Sequence, residues 1–275
     1  MADFSMGPAI LFCPADRPDR FEKAAERADA VILDLEDAVS PETKDFAREA
    51  VAGSALDPQR TMVRVNPVGT DDFAADLAAL ARTGYRTVML AKAAHPSQLA
   101  ALADFDVVPL IETATGVLNA AAIAAEPNVV GLMWGAEDLV ASLGGTSSRM
   151  ADGRYRGVAQ QARATVLLAA GGHGKAAIDA IYVNIPDVEG LGAEAADAVA
   201  SGFTATACIH PSQVDAIRAE YLPNDADVAW AHSVLAAAEG EHGVFQLDGR
   251  MIDGPILKHA DKLLRRAGRQ PDPPR

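Results

Sequence analysis

Eight short apolar, β-rich runs follow one another along the chain, and alanine-rich stretches of helical character separate most of them. That alternation leaves few architectures open. The runs are Ala9–Cys13, Ala30–Leu35, Thr61–Asn66, Thr87–Ala91, Val107–Ile111, Val129–Trp134, Ile178–Asn184 and Phe203–Ile209. Several are hydrophobic throughout, as parallel strands covered on both faces must be. The connections include Arg20–Ala28, Glu42–Ala52, Phe73–Arg82, Ser97–Ala103, Val117–Ala125 and Ala159–Ala170. Their apolar residues recur every three or four positions, the spacing of a helix with one buried face. Ser40, Pro41 and Glu42 read as N-cap, first helical residue and a first-turn acid that suits the helix dipole. The segment His95–Pro96–Ser97–Gln98 recurs as His210–Pro211–Ser212–Gln213, and both copies read as helix starts.

Strand–helix units repeated in this way predict an α/β fold, a closed (β/α)8 TIM barrel over residues 1–222. An open doubly wound sheet is the competing arrangement. It would carry a glycine-rich first turn for a dinucleotide, and Pro14–Ala15–Asp16 has no such pattern. From Tyr221 the character changes, and residues 223–275 are expected to form a helical, lid-bearing extension. It comprises a helix over Asn224–Gly240, a loop or hairpin over Gly243–Arg250, a helix over Gly254–Arg266 and a fraying tail, Pro271–Arg275.

The length of 275 residues suits one barrel of about 250 residues with an addition. The first residues lack the basic start and apolar stretch of a secretion signal, and no apolar run reaches the roughly 18 residues of a membrane span. The two cysteines, Cys13 and Cys208, sit in strand-like runs and read as buried reduced thiols of a cytoplasmic protein. A formal net charge of -14 disfavours nucleic acid and anionic membranes as partners. An anionic substrate would then need cations supplied locally.

In such barrels chemistry sits where the strands end. Strand two ends at Asp34, Leu35, Glu36 and Asp37, strand three at Arg64 and Asn66, strand four at Lys92, strand five at Glu112, and strand six before Glu137 and Asp138. Five consecutive strands thus deliver charge to one rim. Glu112 and Asp138 suit Mg²⁺, which takes carboxylate oxygens and leaves positions for water or a 2-oxo acid. Their bland alternative is a Glu112–Lys92 ion pair and an Asp138 helix cap. Arg64 offers a planar fork for a carboxylate or oxyanion, or else an ion pair with Glu36 or Asp37. The acids of strand two are not separable by sequence. One of them is expected to order metal-bound water or Arg64, another to bond loop backbone. The histidines show no zinc spacing, His210 reads as a helix-start residue, and Lys92 among so many acids should stay protonated and not form a Schiff base.

The segments Leu33–Ala38, Arg64–Asn66, Ile111–Thr113, Gly135–Leu139 and Cys208–Gln213 resemble the citrate lyase β-subunit-like proteins. That group lies within the citrate lyase, malyl-CoA lyase and citramalyl-CoA lyase superfamily. The resemblance implies Mg²⁺ on Glu112 and Asp138, Arg64 on the substrate's oxygens, and the backbone near Ala136 against its carboxylate. Glu36 and Asp37, at the end of strand two, are taken with Arg64 and Asp253 as the candidate catalytic residues. Gly249–Pro255 looks like the lid motif, in which Asp253 would serve a neighbouring subunit as general acid/base, implying a homo-oligomer, commonly a trimer. The chain departs from the pattern at Pro14–Ala15–Asp16 and Phe203–Thr206, which bears on CoA contacts and acyl preference.

The resulting expectation is a Mg²⁺-dependent carbon–carbon lyase acting on a 3-hydroxyacyl-CoA, a malyl- or citramalyl-like thioester, with acetyl-CoA and a 2-oxo acid as products. The alternatives are a citrate lyase β-subunit using a carrier-bound citryl thioester, an aldolase of free 2-oxo acids, and a non-catalytic oxo-acid or CoA-binding protein.

Overall fold

The computed structural model describes residues 4–239 and 243–268. Eight parallel strands close into a barrel in chain order: β1 (Ala9–Pro14), β2 (Ala30–Asp34), β3 (Thr61–Val65), β4 (Thr87–Leu90), β5 (Asp106–Ile111), β6 (Gly131–Trp134), β7 (Ala176–Asp179) and β8 (Ala205–Cys208). Closure is made by β8 against β1, with Ala9 opposite Thr206 and Leu11 opposite Cys208. The fold is the (β/α)8 barrel expected from the alternation.

The barrel interior is filled by Ile10, Ile32, Met62, Met89, Val108, Leu110, Met133 and Ile178, with small Ala30, Ala205 and Ala207 among them. Side chains alternate across a strand, so the residue two steps beyond each of these also faces inward. Ile32 is thus followed by Asp34, Met62 by Arg64 and Leu110 by Glu112. The hydrophobic layer ends and the charged layer begins at the same level, at the C-terminal mouth.

The surrounding helices are α1 (Phe21–Arg27), α2 (Lys44–Ala52), α3 (Asp71–Leu80), α4 (Ala114–Ala124), α5 (Ala136–Ser142), α6 (Gly157–Gly172), α7 (Val188–Ser201) and α8 (Val214–Tyr221). Between β4 and β5 a 3₁₀ helix, Pro96–Leu102, stands where an α-helix was expected. Both His-Pro-Ser-Gln segments are helix starts: Gln98 bonds back to the His95 N–H at 2.8 Å and Gln213 to the His210 N–H at 3.2 Å. β7 begins two residues before its predicted run and ends at Asp179, well short of Asn184.

The chain divides into two compact units, Met1–Ile217 and Arg218–Arg275. The second contains α9 (Asp225–Ala238), a hairpin of β9 (Phe245–Leu247) and β10 (Arg250–Ile252), and α10 (Gly254–Ala267). Asp248 and Gly249 close the hairpin, both at positive φ, the signature of the Asp-Gly two-residue turn. Ala231, Val234, Ile252, Ala260 and Leu263 form this unit's own core. The predicted tail Pro271–Arg275 lies outside the described residues. Among the described residues no helix is long and apolar enough to cross a membrane.

Candidate active site

Asp34 and Arg64 are register partners on β2 and β3. The Arg64 Nε donates to Asp34 Oδ1 at 2.7 Å and its Nη2 to Oδ2 at 2.6 Å, the two-pronged geometry that suits a guanidinium. Arg64 Nη1 lies 3.1 Å from Glu36 Oε2, and its charge stands over the Phe12 ring at 5.0 Å. Burial works against the cation, but Asp34 and Glu36 outweigh it and hold the Arg64 pKa above its ordinary value. Asp34 also accepts the N–H groups of Glu36 at 2.9 Å and Ala38 at 3.2 Å. One acid therefore performs both tasks that the sequence assigned to two different acids of the three: it orders Arg64 and shapes the loop.

Glu36 bridges Arg64 to Lys92, whose Nζ contacts its Oε1 and lies 3.3 Å from Asp37 and 4.0 Å from Asp138. Burial raises the Glu36 pKa; Asp37, where burial acts in the same direction, is nevertheless lowered by Lys92. Burial disfavours the Lys92 ammonium too, yet contact with Glu36 and the charges of Glu112 and Asp37 keep its pKa above the usual lysine value. A protonated Lys92 is what the sequence predicted.

Glu112 is 2% exposed, and its Oε1 accepts the backbone N–H of Lys92 at 2.9 Å. The Glu112–Lys92 ion pair weighed as the alternative is thus a bond to the backbone, while the ammonium goes to Glu36. Burial, then the negative charge of Asp138, pushes the Glu112 carboxyl up to about 8. Gly135, immediately before α5, leaves room for this side chain: a Cβ there would sit 2.9 Å from Glu112 Oε2. Asp138 is in the first turn of α5, and the N-cap residue is Gly135, which has no side-chain cap. Ala136 opens the helix, so its backbone N–H is one that the helix itself leaves unpaired.

A carboxyl forced toward protonation by burial and, next, by a second carboxylate is a site that a divalent cation would relieve. Among the described residues no group of three or more His, Cys, Asp or Glu is arranged around one ion position. Two protein carboxylates with water and substrate completing the shell is nonetheless the ordinary way Mg²⁺ is held, so the residues fit it.

Sequence reasoning missed the support beneath the site. The buried Lys44 donates to Leu35 O at 2.8 Å, Glu36 O at 3.2 Å and Asn66 Oδ1 at 2.9 Å. Asn66 is held in turn by Asp76, and Asp76 by Arg48 at 2.8 Å. The signal was present: a lysine as the first residue of α2 opposes the helix dipole and needs another reason to be there. Asp253 lies in the second unit and caps α10, its Oδ1 accepting from Ile256 N at 3.3 Å. A cavity of about 570 Å³ lies between α6 and α7, but its cations are matched internally, Arg149 by Glu194 and Arg163 by Asp179, each at 2.7 Å.

A barrel whose mouth combines a buried glutamate, a half-exposed aspartate, a clamped arginine and a lysine belongs with enzymes that stabilise negative charge on oxygen. The chain is a member of the HpcH/HpaI aldolase/citrate lyase family, matched over residues 9–106 and 101–211. It is 56% identical over 262 residues to a citrate lyase subunit beta-like protein of Mycobacterium tuberculosis, covering 95% of this chain and 96% of that one. It is 34% identical to a (3S)-malyl-CoA thioesterase of Cereibacter sphaeroides, covering 94% of each. It resembles the crystal structure of M. tuberculosis CitE in complex with magnesium, acetoacetate and coenzyme A, with a TM-score of 0.90 and 56% identity over 95% of this chain and 98% of that one.

Proposed function

We propose that this protein is a Mg²⁺-dependent carbon–carbon lyase that cleaves a 3-hydroxyacyl-CoA, malyl- or citramalyl-like, to acetyl-CoA and a 2-oxo acid, or runs the reverse condensation. The observation that carries the reading is the buried Glu112 carboxyl packed against Gly135, the N-cap of the helix whose first turn holds Asp138, at the mouth that Arg64 also faces. The family's aldolase and citrate lyase description supports the reaction class, and the CitE complex with magnesium, acetoacetate and coenzyme A supports the ligand set.

In this reading Glu112 and Asp138 hold the ion, and the backbone around Ala136 lies against the substrate carboxylate. When bound, the ion supplies positive charge beside the oxygen that turns from hydroxyl to ketone. The hydroxyl proton passes to an acid of the mouth, Glu36 or Asp37. The electron pair of the breaking carbon–carbon bond moves into the thioester enolate, and Arg64 steadies the developing negative charge on oxygen. Asp253 of a neighbouring copy delivers a proton to the acetyl carbon. No electrons enter or leave, so no redox cofactor is needed. Asp253 acting in this way requires assembly of copies, for which we infer a trimer. We place the chemistry in the cytoplasm, where buried thiols such as Cys13 and Cys208 stay reduced.

The relative named as a malyl-CoA thioesterase favours a second outcome, hydrolysis of the same kind of thioester. One incubation separates the two. Purified protein with Mg²⁺ and a panel of 3-hydroxyacyl-CoAs should release acetyl-CoA and a 2-oxo acid in equal amounts. Free CoA with the hydroxy acid intact would establish hydrolysis instead, and release from a carrier-bound citryl thioester alone would establish the subunit role.

A further inference from the structure

Lys92 sits at a backbone irregularity directly after β4. The N–H of Ala91 bonds Val65 O on one neighbouring strand at 3.3 Å, while that of Ala93 bonds Leu110 O on the other at 3.1 Å. Between them Lys92 adopts φ 52°, a left-handed conformation uncommon for residues with a side chain. That twist turns its N–H toward Glu112 Oε1. Glycine would make the turn more easily, so the presence of lysine points to a task for the side chain.

Its surroundings define the task. The acids facing the mouth are Asp34, Glu36 and Asp37 from the end of β2, Glu112 from β5 and Asp138 from α5. The cations are Arg64 and Lys92, and Arg64 is committed to Asp34 and Glu36. Lys92 contacts Glu36 and stands 3.3 Å from Asp37 and 4.0 Å from Asp138, so its ammonium is a positive charge at the edge of the acid pair that is not clamped as Arg64 is.

We propose that Lys92 is a positioning residue serving as the site's resident counter-cation, which holds Glu36 beside Arg64 and limits how tightly Glu112 and Asp138 take a divalent ion. This rests on the Mg²⁺ reading of those two acids. A divalent ion at the pair shares its surroundings with an ammonium only a few ångströms away, and the two repel. A residue that merely stabilised the mouth would, on removal, loosen the acids and weaken metal binding. Removal of a competing cation does the opposite.

Isothermal titration of Mg²⁺ into the full-length chain separates these outcomes without any substrate. Lys92→Met and Lys92→Gly should each bind Mg²⁺ about tenfold more tightly than wild type, from the lost repulsion at short range in a partly screened site. Lys92→Arg keeps the charge and should stay within about threefold of wild type. The glycine variant also relieves the left-handed backbone, so it gives the reading even if the methionine variant does not fold. Mg²⁺ binding in Met and Gly variants no tighter than wild type overturns the proposal. Absence of binding in wild type and in all three variants overturns the metal reading, and this inference with it.

Discussion

The Asp34 carboxylate closes on the Arg64 guanidinium through two bonds, at 2.7 and 2.6 Å, while also accepting two backbone N–H groups of its own loop. Asp34 is 1% exposed and Arg64 8%. The arginine is therefore presented to the mouth in one fixed orientation, with no reorganisation needed when charge develops beside it.

Arg64→Ala should lower turnover by at least about two orders of magnitude, the usual cost of losing a placed charge stabiliser. It should also cost about 3–5 kcal/mol of stability, because Asp34 and Glu36 are left buried without their partner. The double variant Arg64→Ala with Asp34→Asn should recover part of that stability but none of the turnover. Urea denaturation beside kcat/KM measures both; recovery of activity in the double variant would contradict this role for Arg64.

Glu112 sets a pH dependence whose sign is fixed. In the folded, metal-free protein its carboxyl titrates at about 8, against 4.5 for an ordinary glutamate. Between those values the folded state binds more protons than the unfolded one. The contribution is thus fully present below about pH 4.5 and is lost as pH rises through about 8. In EDTA, wild type should lose stability relative to Glu112→Gln across this window, and saturating Mg²⁺ should reverse the loss because the ion selects the deprotonated carboxylate. A stability difference that does not change with pH would argue against a buried, metal-seeking Glu112.

Much of this was legible in the sequence, and the remainder has definite causes. Strands such as β2 and β3 announce themselves because both faces are buried, and Arg64 and Glu112 could be placed at the mouth because they end such runs. The helix Val188–Ser201 was not recognised, since Gly190 and Gly192 interrupt its pattern; its start is secured by Asp187, which accepts Gly190 N at 2.9 Å. β7 was drawn too far because Ile181–Tyr182–Val183 is β-prone, whereas the chain leaves the sheet after Asp179, where Trp134 and Arg163 bond the carboxylate. The division of labour among Asp34, Glu36 and Asp37 depends on the chain leaving strand geometry after Asp34. The Lys92 N–H to Glu112 depends on one left-handed residue. Neither is written in a period or a motif.

Gly135→Ala offers a probe of packing at the proposed metal pair. The added methyl would lie 2.9 Å from both Cβ and Oε2 of Glu112. Gly135 has φ -125°, an extended conformation open to any residue, so the backbone itself is not strained. The variant should fold, yet displace Glu112 and weaken Mg²⁺ binding by about tenfold or more, as loss of ligand orientation commonly does. Unchanged affinity would show that Glu112 is not held in place by this contact.

Asp253→Asn isolates proton exchange from capping, because asparagine caps a helix as well as aspartate does. The variant should keep its melting temperature and lose turnover. Co-expressed with Glu112→Gln, it should regain partial activity, since a mixed assembly contains some sites with both residues intact. No recovery in verified mixed oligomers would place Asp253 outside any shared site.

The most direct test of the account is where the ion binds. Crystals grown with Mn²⁺, a hard divalent stand-in for Mg²⁺, should give an anomalous peak bonded to carboxylate oxygens of Glu112 and Asp138, with Arg64 facing the same opening. A peak elsewhere on the barrel, or none at saturating Mn²⁺, would contradict the proposed chemistry.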